Sequence, residues 1–430
     1  MIGAVERPWT VGSVAAVVFG AALVLPFQFP IPGLDAVPLT AQIGAVAAAF
    51  LLLPVQLAGD AAQPRPGSGV RLAVLGLAIG AAISWAAGVL RYGFALGAAL
   101  SLVNWVALGA LVVAGQVLYT TERRISVLLT SWATAYAVAS AVVTTFLISR
   151  FGLELLTSTN RGTFQAAGRS LFITWPNYFG TAAAVAACVF YGRILTKRAR
   201  LGSWIGLFVL LATIIMSFSR TSWVACAVAL AVMTVTRGHL RRAVPVVALS
   251  ALLVVVATMQ LPVVRYQFFA TLTAGSSQQL SVLERLTFGA EAIRLWWESP
   301  LFGIGFRRFD EFANVLQLVS ASGRPDVTIG SVHNEYLSVL LKGGLLSGVA
   351  FLIFVVVAVN LLRRASRDDR QGLASGYLGI IGLGITTVLL VAGFATESFR
   401  TLSVSAPFWV LVGAVSMLQH SGTKGANVPS

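Results

Sequence analysis

The chain has 430 residues, 57% of them hydrophobic and only 10% charged, and carries a net charge of +15. A soluble domain averages about 25% charged residues, so the polar faces that a water-soluble fold of this size needs are missing. The apolar residues fall in runs of roughly 17 to 25, long enough to cross a hydrocarbon core of about 30 Å. The basic excess fits the inner loops of a membrane protein better than a nucleic-acid binder.

Taken in chain order, the first apolar run, from Val11 to about Phe27, lacks a small-residue cleavage site followed by a soluble domain, and reads as a first span. Hydropathy then places spans at 40–59, 70–90, 93–119, 126–149, 174–194, 202–217, 221–236, 243–262, 336–362, 372–395 and 401–418. The short turn before 93–119 predicts a hairpin of the third and fourth spans. Pro176 falls at the start of the sixth, where a missing N–H costs least. Cys188 and Cys226 lie inside apolar runs and read as packing residues, not as a disulfide or metal ligands. The expectation is an all-α polytopic membrane protein of about twelve transmembrane helices with one long helical external loop. Residues 1–262 hold spans one to nine, 263–335 the loop with amphipathic helices, 336–418 the last three spans and 419–430 a cytoplasmic tail.

Basic residues orient the bundle. With the N-terminus cytoplasmic, the short inner loops hold Arg65 and Arg71, Arg123 and Arg124, Lys197 to Arg200, Arg237 to Arg242, and Arg363 to Arg370. Short loops are where the positive-inside bias is informative. The outer loops are poor in Lys and Arg except for 150–173 and the long segment 263–335. Both termini are therefore expected in the cytoplasm. Within the long segment, Leu283 to Glu298 reads as an amphipathic helix with Leu286, Ala290, Ile293 and Trp297 on one face. Ser299-Pro300 ends it, Gly303 and Gly305 form a turn, and Trp296 and Trp297 suit a helix at the membrane interface.

Few residues can carry chemistry. His239 and His420 read as solvated loop residues, whereas His333 lies where the long external segment re-enters the membrane. An imidazole there can take a proton from a hydroxyl near neutral pH, or can hold the loop against the bundle. Arg220 stands at a nearly loopless external joint between two apolar runs. A guanidinium at that depth is expensive unless it pairs with a carboxylate such as Glu397 or grips an anion, most naturally a phosphate. Arg161, Arg169, Arg265 and Arg285 are candidates to converge on the same place, while Glu284, Glu291, Glu298 and Asp310 are placed to pair locally. The first external loop, 28–39, holds Asp35 alone, and no Cys/His cluster or paired-carboxylate motif has metal spacing. If the charge of a bound diphosphate is neutralised, arginines rather than Mg²⁺ must do it.

Four segments together resemble a known family. His333-Asn334, nine residues and then Gly344 in HNEYLSVLLKGGLLS is similar to the histidine motif of the O-antigen ligase and polymerase superfamily. SVLERLTFGAEAIRLWWESPLFGIGF, 281–306, resembles its external-loop pattern, in which an arginine precedes a Trp-rich helix and a Pro-Leu-x-Gly-x-Gly turn. SFSRTSW around Arg220 resembles its Ser-Arg motif. GRSLFITWPNYFG, 168–180, is similar to its Pro-Asn stretch but lacks the usual glycine-phenylalanine-glycine lead.

The resemblance implies a GT-C-like inner-membrane glycosyltransferase. It would move O-antigen glycan from undecaprenyl diphosphate to lipid A-core at the periplasmic face, within the surrounding membrane lipids and without a cofactor. It also implies His333, Arg220 and Arg285 as catalytic residues, with Arg161, Arg169, Arg265, Asn334 and Glu335 contacting diphosphate or acceptor. One dominant external loop favours a ligase over a polymerase. A lipid-linked glycan flippase would need inverted repeats and midplane charges, and neither is visible.

Overall fold

The computed structural model describes residues 28–29, 39–40, 68–119, 121–151, 176–217, 219–238, 277–313, 331–368 and 374–425. The spans expected at 11–27, 40–59 and 243–262 lie outside the described residues apart from Thr40, as do Arg161, Arg169 and Arg265. The described chain is helical, save a two-residue antiparallel pairing of β1 (Gln28–Phe29) with β2 (Leu39–Thr40).

The helices are α1 (Ser68–Tyr92), α2 (Leu96–Leu118), α3 (Glu122–Phe151), α4 (Pro176–Leu195), α5 (Leu201–Met216), α6 (Arg220–Thr236), α7 (Ser277–Glu298), α8 (Glu335–Asp368), α9 (Ala374–Ala392) and α10 (Leu402–Gly425). Six of them, α1 to α4, α8 and α10, are long and apolar enough to cross a membrane, while α5, α6 and α9 are shorter apolar helices. All nine coincide with expected spans. α1 and α2 form the expected hairpin about Gly93, and α4 begins at Pro176.

Small residues let these helices approach closely, the usual basis of packing between apolar helices in lipid. α4 is central, packing against α3, α5, α6, α9 and α10. Its stretch Ala182 to Val189, almost all alanine and valine with Cys188, is fully buried. α2 and α10 cross where Gly115 faces the backbone of Val410 and Gly413 faces that of Val112, so a methyl group on either would collide with the opposing carbonyl.

The bundle has two chemically distinct ends. At one, Arg71 donates to Gln116, Arg193 to Thr130, and Arg198 pairs with Glu122 and lies over the Tyr377 ring. At the other, the end of α1, the starts of α4, α6, α8 and α10 and the end of α9 gather with α7 and the turn that follows it. Arg91 and Arg307 tie α1 to that turn, donating to the carbonyls of Glu298 and Tyr92.

α7 has two apolar stripes. Phe288, Ala292 and Leu295 are buried in a small core with Ile304, Phe309, Val332 and Leu341. The face read from sequence points the other way: Leu286, Ile293 and Trp297 are exposed, as are Leu301 and Phe302 just beyond. An exposed apolar stripe of this kind, with two tryptophans beside apolar helices, suits a membrane interface, as the sequence leads one to expect.

Candidate active site

The rim built from α4, α6, α7, α8 and the α9–α10 turn is assembled by the four motif segments. At α6, Ser219 caps the helix by accepting from the Ser222 N–H, with Arg220 in the first turn. Ser222 donates to the Ser219 hydroxyl at 2.9 Å and reaches the carbonyl of Asn177, which also accepts from Thr181 at 2.7 Å. Gly180 packs directly on Ser217 and Ser222. The Ser-Arg and Pro-Asn segments are thus two sides of one contact, and that contact fixes the depth of Arg220.

The third and fourth motifs meet in the same reciprocal way. α8 is broken at Gly344, which adopts φ 62° and ψ −166°. This is a region open in practice only to glycine. The break frees backbone groups in the middle of a span, where an unsatisfied one is costly. The Pro-Leu-x-Gly-x-Gly turn supplies their partners. Leu345 and Leu346 donate to the carbonyls of Pro300 and Leu301, while Ile304 and Phe306 donate to those of Leu341 and Lys342. Gly303 and Gly305, both at positive φ, let the backbones touch; Gly305 lies against Gly88 of α1, and Gly303 against Leu341. Ser84 of α1 adds a bond to the Gly343 carbonyl at 2.7 Å. α7, and Arg285 on it, are thereby pinned to the histidine segment.

His333 occupies the left-handed region at φ 55°, rare for a non-glycine residue. Its N–H donates to the Ser331 hydroxyl at 3.1 Å. Asn334 caps α8, its side-chain oxygen accepting from the Leu337 N–H at 3.0 Å, and its amide donates to the Phe394 carbonyl at 3.3 Å. Glu335 is fully buried: Arg400 donates to one carboxylate oxygen at 3.0 Å and the Phe399 N–H to the other at 3.0 Å. Asn334 and Glu335, expected beside the substrates, are therefore engaged in holding the segment that carries His333.

Of the expected site residues, the structure relates three: Arg220, Arg285 and His333. Arg220 and Arg285, both half-buried, lie within electrostatic reach of one another, and Arg285 also bears on the imidazole of His333. Burial pushes the Arg285 pKa down, with Glu284 opposing and Arg220 adding to the effect. Burial likewise pushes the His333 imidazole below its ordinary value, Arg285 pushes it further, and Glu397 opposes. Two guanidinium groups beside an imidazole whose charged form is disfavoured by burial are an arrangement that can hold an anion next to a proton acceptor. The other arginines of the turn are taken locally: Arg294 by Glu291 and Glu298, Arg307 by Glu311 and Arg308 by Asp310. Among the described residues no group of three or more His, Cys, Asp or Glu is placed to hold a metal ion.

Sequence reasoning weighed Glu397 as a partner for Arg220; it is instead paired with Arg400 at 2.6 Å and accepts from Ser338 at 2.7 Å. Arg400 itself went unnoticed. The available signal was the charged pair in Ala395-Thr396-Glu397-Ser398-Phe399-Arg400, polar residues in a hairpin between two spans.

Residues 205–352 match the family model described as O-antigen ligase. Over that segment, about a third of its length, the chain is similar to the O-antigen ligase family. Arg220, Arg285 and His333 all fall inside the O-antigen ligase segment, whereas Glu397 and Arg400 lie beyond its end. Among curated proteins, none matches the chain. The six long apolar helices are those of a polytopic helical membrane protein, and the members of the matched family are glycosyltransferase-like ligases and polymerases.

Proposed function

We propose that this protein, similar to the O-antigen ligase family over residues 205–352, transfers O-antigen glycan from undecaprenyl diphosphate to lipid A-core oligosaccharide, at the periplasmic face of the inner membrane. The observation that carries the proposal is the meeting of Arg220, Arg285 and His333 at one rim of the bundle. The sidedness is supported by the opposite end, where Arg71, Arg193 and Arg198 gather as cytoplasmic loops should. Both termini then lie in the cytoplasm.

In the reaction, the acceptor hydroxyl oxygen attacks the anomeric carbon. A carbon–oxygen bond to the acceptor forms as the bond to the diphosphate oxygen breaks, and the bonding pair leaves on the diphosphate. Arg220 and Arg285 hold that leaving group as its charge grows, and Arg161, Arg169 and Arg265 are proposed to share it. Preorganised donors of this kind are typically worth ~10²–10³ in rate each. Neutral His333 takes the acceptor proton. A single displacement inverts the anomeric carbon. The diphosphate linkage itself supplies the driving force, so neither ATP nor a divalent cation takes part in this scheme.

A polymerase would use the same donor and the same three residues with a growing lipid-linked glycan as acceptor. The acceptors separate the two. Purified protein given lipid-linked O-antigen with equimolar lipid A-core and a second lipid-linked repeat should label lipid A-core. Label found only on the lipid-linked repeat would assign the polymerase instead, and label on neither would remove glycosyl transfer.

A further inference from the structure

We infer that Glu397 and Arg400, on the turn between α9 and α10, are positioning residues that hold His333 in its left-handed conformation and set the charge its imidazole faces. The inference rests on the reading of His333 as the base and goes beyond it to groups outside the family segment.

The turn grips the histidine from both sides in sequence. Two residues before it, the Ser331 hydroxyl accepts the His333 N–H and bears on the Glu397 carboxylate, helping to hold it ionised. Two residues after it, Glu335 is held through its carboxylate by Arg400 and by the Phe399 N–H, and its own N–H donates to the Gly393 carbonyl at 2.8 Å. Further along α8, the Ser338 hydroxyl accepts from Arg400 at 2.6 Å and donates to Glu397 at 2.7 Å. Tyr336 donates to the Leu390 carbonyl at 2.7 Å and its ring meets that of Phe394. Arg400 alone thus engages three side chains, a task for the fixed fork of a guanidinium that an ammonium cannot repeat. A non-glycine residue in the left-handed region persists where its surroundings over-determine it, and here the two flanking anchors converge on one turn.

The turn also supplies the balancing charge. The charged groups that bear on the imidazole are Arg285 from α7 and Glu397 from the turn. Behind them, Arg220 of α6 faces Arg285, and Tyr178 of α4 faces Glu397 and Arg400. Burial by itself pushes the Glu397 carboxyl up. Arg400 and Lys342, with the hydroxyls of Ser338 and Ser331, overcome this and hold it down to about 2, so it is an anion at any working pH. An imidazole that accepts a proton becomes a cation beside Arg285. Glu397 offsets that repulsion at the moment it arises.

The test is a comparison of Glu397→Gln with the parent protein in purified transfer assays across pH, with His333→Ala as the control. The expected result is a fall in kcat of about tenfold or more with donor KM within about twofold, the signature of an interaction lost at the chemical step. The acid limb of the profile should also move to lower pH, because removing the anion lowers the proton affinity of His333. Unchanged kcat with an unmoved limb overturns the inference, and so does a proportional loss in kcat and donor binding without movement of the limb. If Glu397→Gln does not fold, Ser331→Ala removes only one anchor: kcat should fall several-fold at constant donor KM, and parental kcat overturns the proposal. Full activity in His333→Ala would instead defeat the base assignment on which the inference stands, an outcome distinct from an inert histidine variant with a normal Glu397→Gln.

Discussion

His333 illustrates what a single residue owes to its neighbours. Its identity and place, at the re-entry of the long external segment, were readable from the chain alone. Its conformation was not, because φ 55° is imposed by Ser331, Glu335 and a turn more than sixty residues further on. The same holds for Glu335, expected to contact diphosphate or acceptor or to help orient the reacting groups, which is buried against Arg400. Pairing across such distances leaves no trace in local spacing. Burial and Arg285 together lower the imidazole's proton affinity below its ordinary value of about 6.5. Since the base works when neutral, activity should persist below that pH and fall as the proton binds. Replacing Arg285 with glutamine removes a facing cation, so the acid limb should move to higher pH, opposite to the shift expected for Glu397→Gln. A pH–kcat profile of the purified variant checks this; an unmoved limb would separate Arg285 from the histidine. The donor KM should rise in the same variant, as a diphosphate contact is lost.

At the scale of elements, the spans were legible and their breaks were not. Runs of apolar residues mark a helix in lipid because every backbone group must be satisfied within it, and all nine described bundle helices fall where hydropathy puts them. The exception is the break inside α8. In the sequence Gly344 is only the glycine that closes the histidine motif, yet it turns the backbone so that Leu341 to Leu346 pair with Pro300 to Phe306. Two motifs distant in sequence are one structural unit, which no one-dimensional pattern states. Gly344→Ala should therefore lower stability by at least about 2 kcal/mol, because the added methyl would meet the Leu301 carbonyl. Thermal unfolding in detergent measures this, and a parental melting temperature would refute the paired-turn account. α7 carries the converse lesson. The apolar face legible in the sequence is exposed, while a second stripe around Phe288 makes the contact with the bundle. Amphipathicity locates a face without saying which solvent it meets.

For the whole molecule, the arrangement separates labour between two ends of one bundle. One end gathers Arg71, Arg193 and Arg198 with partners on α2 and α3; the other brings Arg220, Arg285 and His333 to a rim beside the exposed stripe of α7. Both proposed substrates carry lipid tails, and a site at this depth lets each remain anchored while its head group reacts. Composition alone was enough to predict the membrane, and the order of four short motifs was enough to suggest the family that residues 205–352 match. Convergence of the arginines depended on packing that only three dimensions supply. The central claim is that guanidinium groups and one imidazole, without a divalent cation, perform glycosyl transfer. Its most direct measurement is transfer of glycan from undecaprenyl diphosphate to lipid A-core by purified protein in excess chelator, parent beside His333→Ala. The account predicts full transfer by the parent and none above background by the variant. Transfer abolished by chelator and restored by Mg²⁺, or an equally active variant, would contradict it.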